Sequence, residues 1–273
     1  MTYAIAVARL VFGVLLAGHA LFLFRMAVSI DRAAEDATQR DRLATGVAEA
    51  RFPGTPLTLR AIGWILIGGF WGSCAVGPPA LGLGSSFVPL ALGLAMIVAH
   101  FVAARGLRAG LSVAFGIVVS AALVSELVPR PGFNVNTVAL VIHLLAAAVW
   151  LGHMFYWSLV AGPSLKRLPD RELGDRLRRL SREGGGLGWP ALGILGLTGA
   201  FFLVSRGLTP ADLVSARVLS STFGRALDAK LLLVLAMVGF QAVFGHREAP
   251  RAIYANMLVA LLVLALAVWL TGA

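Results

Sequence analysis

The sequence predicts an all-α, polytopic transmembrane helical bundle of about eight spans, on three observations. The chain of 273 residues is 59% hydrophobic, only 13% charged, and has a mean hydropathy of +0.86. A soluble domain of this length carries about twice that charged fraction. The apolar residues also come in long unbroken runs, and a bilayer core takes about 20 helical residues to cross. Eight such runs can be counted, at 3–28, 57–78, 86–104, 110–128, 136–162, 189–207, 226–246 and 252–271. Little sequence is left over, so residues 1–273 read as a single integral membrane domain with repeat halves 1–130 and 135–273.

The first run lacks a basic leader, and its apolar stretch exceeds the usual 7–15 residues of a secretory signal. It is expected to stay as the first span. Cys74, the sole cysteine, lies inside the second run, so no disulfide forms within the chain. The formal net charge of +10 raises nucleic acid as a partner. That reading fails because the charges sit between spans and report orientation instead. Arg25, Arg32, Arg40, Arg42, Arg51 and Arg60 follow span 1; Arg105 and Arg108 follow span 3. Lys166, Arg167, Arg171, Arg176, Arg178, Arg179 and Arg182 follow span 5; Arg247 and Arg251 follow span 7. The other side carries Arg130, Arg206, Arg217 and Arg225. Excess Lys and Arg marks the cytoplasmic side. The expectation is a bacterial inner-membrane protein with loops 29–56 and 163–188 in the cytoplasm and both termini in the periplasm. The mixed charge of those two loops fits solvated helices or contact with lipid headgroups.

An internal repeat also emerges. Span 1 holds LLAGHALFLFRMA and span 5 holds VWLGHMFYWSLVA, each with a Gly-His pair, Gly18-His19 and Gly152-His153. LAMIVAHFVA in span 3 matches LAMVGFQAVF in span 7, pairing Met96 with Met237 and His100 with Gln241. Gly63-Trp64 in span 2 matches Gly188-Trp189 in span 6. Four spans restore the starting side, so the halves would form parallel repeats about an axis along the membrane normal.

The repeat places chemistry. His19 and His153 lie past the midpoints of their spans, toward the cytoplasm. Met96 and His100 are four residues apart and share a helix face. Met26 follows His19 by two turns. An inner layer of metal ligands is therefore expected from His19, Met96, His100, His153 and Met237, with Met26, Met154 and His246 near it. Each Gly before a His lets a neighbouring helix, or a flat cofactor, come close. His143 precedes His153 by ten residues, about 15 Å of rise and a different face, so the two cannot grip one ion. His143 belongs to an outer layer with Lys230, an intramembrane cation that marks a functional site by default; Asp228 and Arg225 stand near the mouth of that span.

Imidazole with thioether suits copper, above all Cu(I), because soft sulfur selects it. Two imidazoles on facing helices also suit haem b, with His19 and His153 as axial ligands. No phosphate-binding loop, no G-x-S-x-G and no H-E-x-x-H occurs, and paired buried carboxylates are missing. A transporter or metal-binding membrane protein is thus expected rather than an enzyme. The alternatives are a b-type haem oxidoreductase passing electrons from quinol, or a membrane assembly factor whose histidines only pack.

HLLAAAVWLGH at 143–153, Leu197-Thr198-Gly199-Ala200-Phe201 and FGRALDAKLLLVLAMVGFQAVFGHR at 223–247 resemble the copper-resistance protein D (CopD) family of bacterial inner-membrane proteins. The resemblance covers mainly residues 140–250. The family's H-x6-W-x-G pattern falls on His143, Trp150 and Gly152, and its Gly…Lys pattern on Gly224 and Lys230. The resemblance implies an eight-span protein that handles copper ions beside a periplasmic copper-binding protein. The chain departs from the family in carrying no Met/His-rich extramembrane stretch. The same signature is similar to proteins of haem and respiratory-enzyme assembly.

Overall fold

The computed structural model describes residues 2–76, 87–127, 134–168, 175, 188–213, 215, 220–244, 258–263 and 265–266. Among them all regular elements are helical, apart from one isolated bridge between Arg51 and Thr58. The helices are α1 (Thr2–Ala33), α2 (Ala37–Ala48), α3 (Leu59–Val76), α4 (Phe87–Gly106) and α5 (Ala109–Leu127). Then come α6 (Val135–Tyr156), α7 (Gly188–Ser205), the single turn α8 (Pro210–Leu213) and α9 (Thr222–Phe244). The α6 rod continues through a π-helical turn, Trp157–Ala161, and a last turn, Gly162–Leu165.

Four of these segments are long and apolar enough to cross a membrane: Ala4–Ala33, Leu59–Val76, Pro89–Gly106 and Val135–Leu165. Ala109–Ser125 and Trp189–Ser205 are apolar but shorter. Large apolar side chains face outward as well as inward, while some polar ones are buried. Leu197, Val204 and Leu232 are 75%, 72% and 68% exposed, while His19 and His100 are fully buried. Apolar side chains outside and polar ones inside are what a bilayer solvent selects, since hydrocarbon leaves polar groups only each other to bond. The eighth apolar run, 252–271, and the cations Arg130, Arg171, Arg176, Arg178, Arg179, Arg182, Arg217, Arg247 and Arg251 fall wholly or partly outside the described residues, as does His246.

α1 is the hub. It packs on α2, α3, α5 and α6; α4 packs on α5, and α6 on α7. One core cluster joins Leu16, Met26, Phe70, Met96, Phe115 and Tyr156. A second joins Val14, Trp150, Phe155, Ala191 and Met237. The tightest crossing is α1 on α6. A Cβ on Gly18 would run into the Gly152 carbonyl oxygen and lie 2.8 Å from Tyr156 Cβ. A Cβ on Gly152 would lie 2.5 Å from Val14 O and 2.7 Å from Gly18 N. The two Gly-His pairs thus meet each other, backbone to backbone, as small residues allow in membrane helices.

One expectation changes here. Arg25, tallied among the loop cations although it falls within the apolar run 3–28, is a helix residue, 7% exposed. The helix continues to Ala33, more than a turn past the apolar run, and Ala27, Ile30 and Ala33 carry its buried face onward. Arg9, absent from the loop tally, is also buried in α1 and donates to Ser73 O at 3.3 Å. The mixed-charge region after α1 contains the helix α2, with an exposed charged face and a buried apolar one. Asp36 caps α2 by accepting from Gln39 N at 2.7 Å. α2 buries Leu43, Ala44, Val47 and Ala48. A hairpin closes behind it through Phe52 N to Leu57 O and Leu59 N to Ala50 O, and Arg60 pairs with Glu49.

Arg40 ties this unit to the bundle. Its Nη1 and Nη2 donate to Gly106 O and Leu107 O at 3.1 and 3.0 Å, and Nε to Asp31 at 2.7 Å. These carbonyls end α4, where a cation is favoured. Leu107 takes φ 40°, a left-handed value usually left to glycine, and is fully buried. Arg40→Ala should lower unfolding free energy by about 2 kcal/mol, because charged hydrogen bonds to a buried turn are lost. Gly152→Ala should cost about 1–3 kcal/mol by overpacking. Gly68→Ala, with open space around its Cβ position, should be near neutral. Thermal unfolding in detergent checks all three; an unchanged midpoint for Gly152→Ala would contradict the backbone crossing.

Candidate functional site

At the α2 end of the bundle, α1 is near its finish, α3 near its start and α4 near its finish. His19, Gly63 and His100 stand four to fourteen residues from those helix ends. The two imidazoles meet there. His19 Nε2 lies 3.1 Å from His100 Nε2, and His19 Nδ1 lies 2.6 Å from the Tyr156 hydroxyl on α6. Gly63 faces the pair: a Cβ there would strike His100 Nε2 and sit 2.5 Å from His19 Nε2. Trp64 stands edge-on to His100 with ring centroids 4.4 Å apart, and Phe115 closes on both rings.

Proton counting defines the cluster. With both rings neutral, one proton sits between the two Nε2 atoms. If Tyr156 O–H donates to His19 Nδ1, His19 Nε2–H donates to His100 Nε2, and His100 carries its own proton on Nδ1. In the reverse direction His100 Nε2–H donates to His19, and His19 Nδ1–H donates to the Tyr156 oxygen. In both, His100 Nδ1 is buried and has no hydrogen-bond partner. A buried polar atom left unpaired is expensive, so the pair is not an ordinary packing contact.

Of the expected inner layer, the structure brings His19 and His100 together. Met96 and Met26 are both fully buried in the apolar cluster that also holds Phe115 and Tyr156. Met237 is fully buried too, but in the second cluster, beside Trp150 and Phe155. The Met96–Met237 correspondence therefore does not bring the two thioethers into one core cluster. The Gln241 side chain lies outside the described residues.

His153 goes elsewhere. Arg25 Nη1 lies 3.0 Å from its Nε2 and 3.4 Å from its Nδ1, and Trp157 stands 6.0 Å away ring to ring. The Gly18–Gly152 crossing thus sends His19 to Tyr156 and His153 to Arg25, rather than the two histidines to each other. Tyr156 and Arg25 are the residues that sequence reasoning missed. Tyr156 sits three positions after His153 in a repeated aromatic stretch, where span 1 has Phe22; that one differing hydroxyl was the signal.

In the outer layer His143 Nδ1 lies 2.8 Å from Thr198 Oγ1 on α7. Thr198 donates its hydroxyl proton to Ile194 O at 2.7 Å, so it accepts from His143 Nδ1–H. The other ring nitrogen, Nε2, then holds the lone pair. Asp228, two residues before Lys230, keeps one carboxylate oxygen buried without a hydrogen bond. Cys74 is part-buried on α3.

Among the described residues no three His, Cys, Asp or Glu side chains converge on one point. A metal at the imidazole pair would draw its remaining donors from thioether or phenol. No family model, curated protein or solved structure matches the chain. Tyr156→Phe should destabilise the fold by about 1–3 kcal/mol, since it strands His19 Nδ1 in the core. Gly63→Ala should force the imidazoles apart. Imidazole nitrogen resonances measured by NMR should then lose their mutual hydrogen-bond coupling, and unchanged resonances would contradict the contact.

Proposed function

We propose that the chain is a copper-handling protein of the bacterial inner membrane, which binds or moves Cu(I) through intramembrane imidazole and thioether ligands. The observation that carries this reading is the fully buried His19–His100 contact, Nε2 to Nε2 at 3.1 Å. Met96, on the same helix face one turn before His100, is fully buried. Soft Cu(I) accepts few ligands and takes both nitrogen and thioether sulfur. Metal–nitrogen bonds of about 2.0 Å put two opposed ligand atoms about 4 Å apart. The rings would part by about 1 Å to admit the ion, and a glycine at position 63 leaves them no side chain to push against.

Entry by ligation through Nε2 of both rings fixes a tautomer. Each neutral ring then carries its proton on Nδ1, and His19 Nδ1–H donates to Tyr156. Tyr156 is therefore a positioning residue for His19, and no net proton is released. His153, whose ring faces the Arg25 guanidinium, is a poor cation ligand; Met237 lies in a different cluster. The working set reduces to His19, His100 and Met96, with Met26 nearby.

Haem b finds less support. Its axial pair, His19 and His153, has partners that differ, and both nitrogens of His19 are engaged within 3.1 Å. Eight spans in two parallel halves, periplasmic termini and a periplasmic copper-binding partner belong to the same proposal. The repeated Gly-His pairs meeting at one crossing support the repeat. His143 and Lys230 would then form the outward station.

Titration of the purified full-length chain in detergent with Cu(I), against a chromogenic chelator, tests the reading. Wild type should take up one Cu(I). His19→Ala and His100→Ala should each weaken uptake at least about 100-fold, and Tyr156→Phe about 10-fold to 100-fold, the range for supporting residues. Wild-type affinity in the His19→Ala His100→Ala double variant would sink the proposal. So would a haem absorption band with stoichiometric iron.

A further inference from the structure

Arg25 is a guanidinium in the wrong place for a structural cation. It is 7% exposed, and its Nη2 is buried with no hydrogen-bond partner. Its Nη1 straddles the two ring nitrogens of His153, at 3.0 and 3.4 Å, instead of lying on one lone pair. Among the described residues no carboxylate pairs with it. A buried charge is retained only where a counter-charge or a full set of hydrogen bonds offsets its desolvation. Among the described residues Arg25 has no counter-charge, and its Nη2 has no hydrogen-bond partner.

The surroundings suit an anion. His153 offers an imidazole N–H beside the guanidinium, and Trp157 flanks the ring. Directly after His153 the α6 rod passes into the π turn Trp157–Ala161, where Gly162 N–H reaches back five residues to Trp157 O. Single π turns inside α-helices recur at functional sites because they widen the helix locally. Ser29, one turn beyond Arg25 on the same helix, is also buried.

Depth narrows the class. The apolar segments Ala4–Ala33 and Val135–Leu165 run 30 and 31 residues, about 45 Å each. A hydrocarbon core of about 30 Å takes only about 20 of those residues. Counted from their outer ends, the core ends near Leu23 on α1 and near Met154 on α6. Arg25, His153 and Trp157 thus stand at the headgroup boundary, where the oxyanion a bilayer presents is phosphate.

We propose that Arg25 and His153 form a phosphate-binding site between α1 and the π turn of α6, separate from the His19–His100 pair. The guanidinium Nη2 and the His153 N–H donate to the phosphate oxygens. The phosphate belongs either to an anionic lipid headgroup or to a free ion, and the chemistry of recognition is the same.

Native mass spectrometry of the full-length chain, released from detergent with either phosphatidylglycerol or inorganic phosphate added, decides this. Wild type should hold one adduct, whose mass tells lipid from free phosphate. Arg25→Gln should reduce its occupancy at least tenfold, and Arg25→Lys should retain part of it. If Arg25→Gln does not fold, His153→Gln takes its place, with a clear loss of the adduct expected. No adduct on wild type with either probe, or wild-type occupancy in the variants, would overturn the site. The outcome does not depend on copper binding.

Discussion

The backbone contact of Gly18 with Gly152 is the constraint on which the remainder of the arrangement rests. No side chain separates α1 from α6 at that level. The close approach carries the next residues of each helix past the other's axis. His19 reaches Tyr156, and His153 reaches Arg25. α1 is also the helix that α2, α3 and α5 pack upon. A change of a few tenths of an ångström at the crossing would therefore be felt at both polar clusters. Interiors of this density transmit displacement rather than absorb it.

The polar interior divides into stations with different chemistry. The imidazole pair is rich in lone pairs and thioether, and it holds no fixed charge. The Arg25–His153 pair holds a cation. Such a guanidinium repels metal ions and attracts oxyanions, so neighbouring clusters in one bundle are suited to opposite ligands. The histidine on α6 nearer its start, His143, is different again: its Nδ1 proton is committed to Thr198, which leaves Nε2 as the acceptor. A cation passing the whole bundle would have to meet these stations in order, and Arg25 marks one place it would avoid.

Much of the fold was legible in the sequence because bilayer solvent imposes length. Runs of apolar residues found α3, α4 and α5 within a few residues of their ends. The cation tally failed at Arg25, since it assigned a charge inside the run to the following loop while the helix continues through it on buried alanines and isoleucine. The Gly-His repeat correctly pointed to a close helix approach. It did not reveal which partner each histidine takes, because that depends on the rotation of α6 and on one hydroxyl, at Tyr156. The His100–His19 contact was within reach of the spacing argument, which put both in one layer. The split of Met96 and Met237 between two clusters was not, since periodicity fixes a face and not the neighbour it meets.

The central claim is that His19 and His100 close on one Cu(I) ion. X-ray absorption at the copper edge of the Cu(I)-loaded full-length chain tests it most directly. The account predicts imidazole back-scattering from two nitrogen ligands with a sulfur scatterer at longer distance, and loss of the imidazole signal in His19→Ala and His100→Ala. A spectrum without imidazole features, or one that the two substitutions leave unchanged, would contradict it.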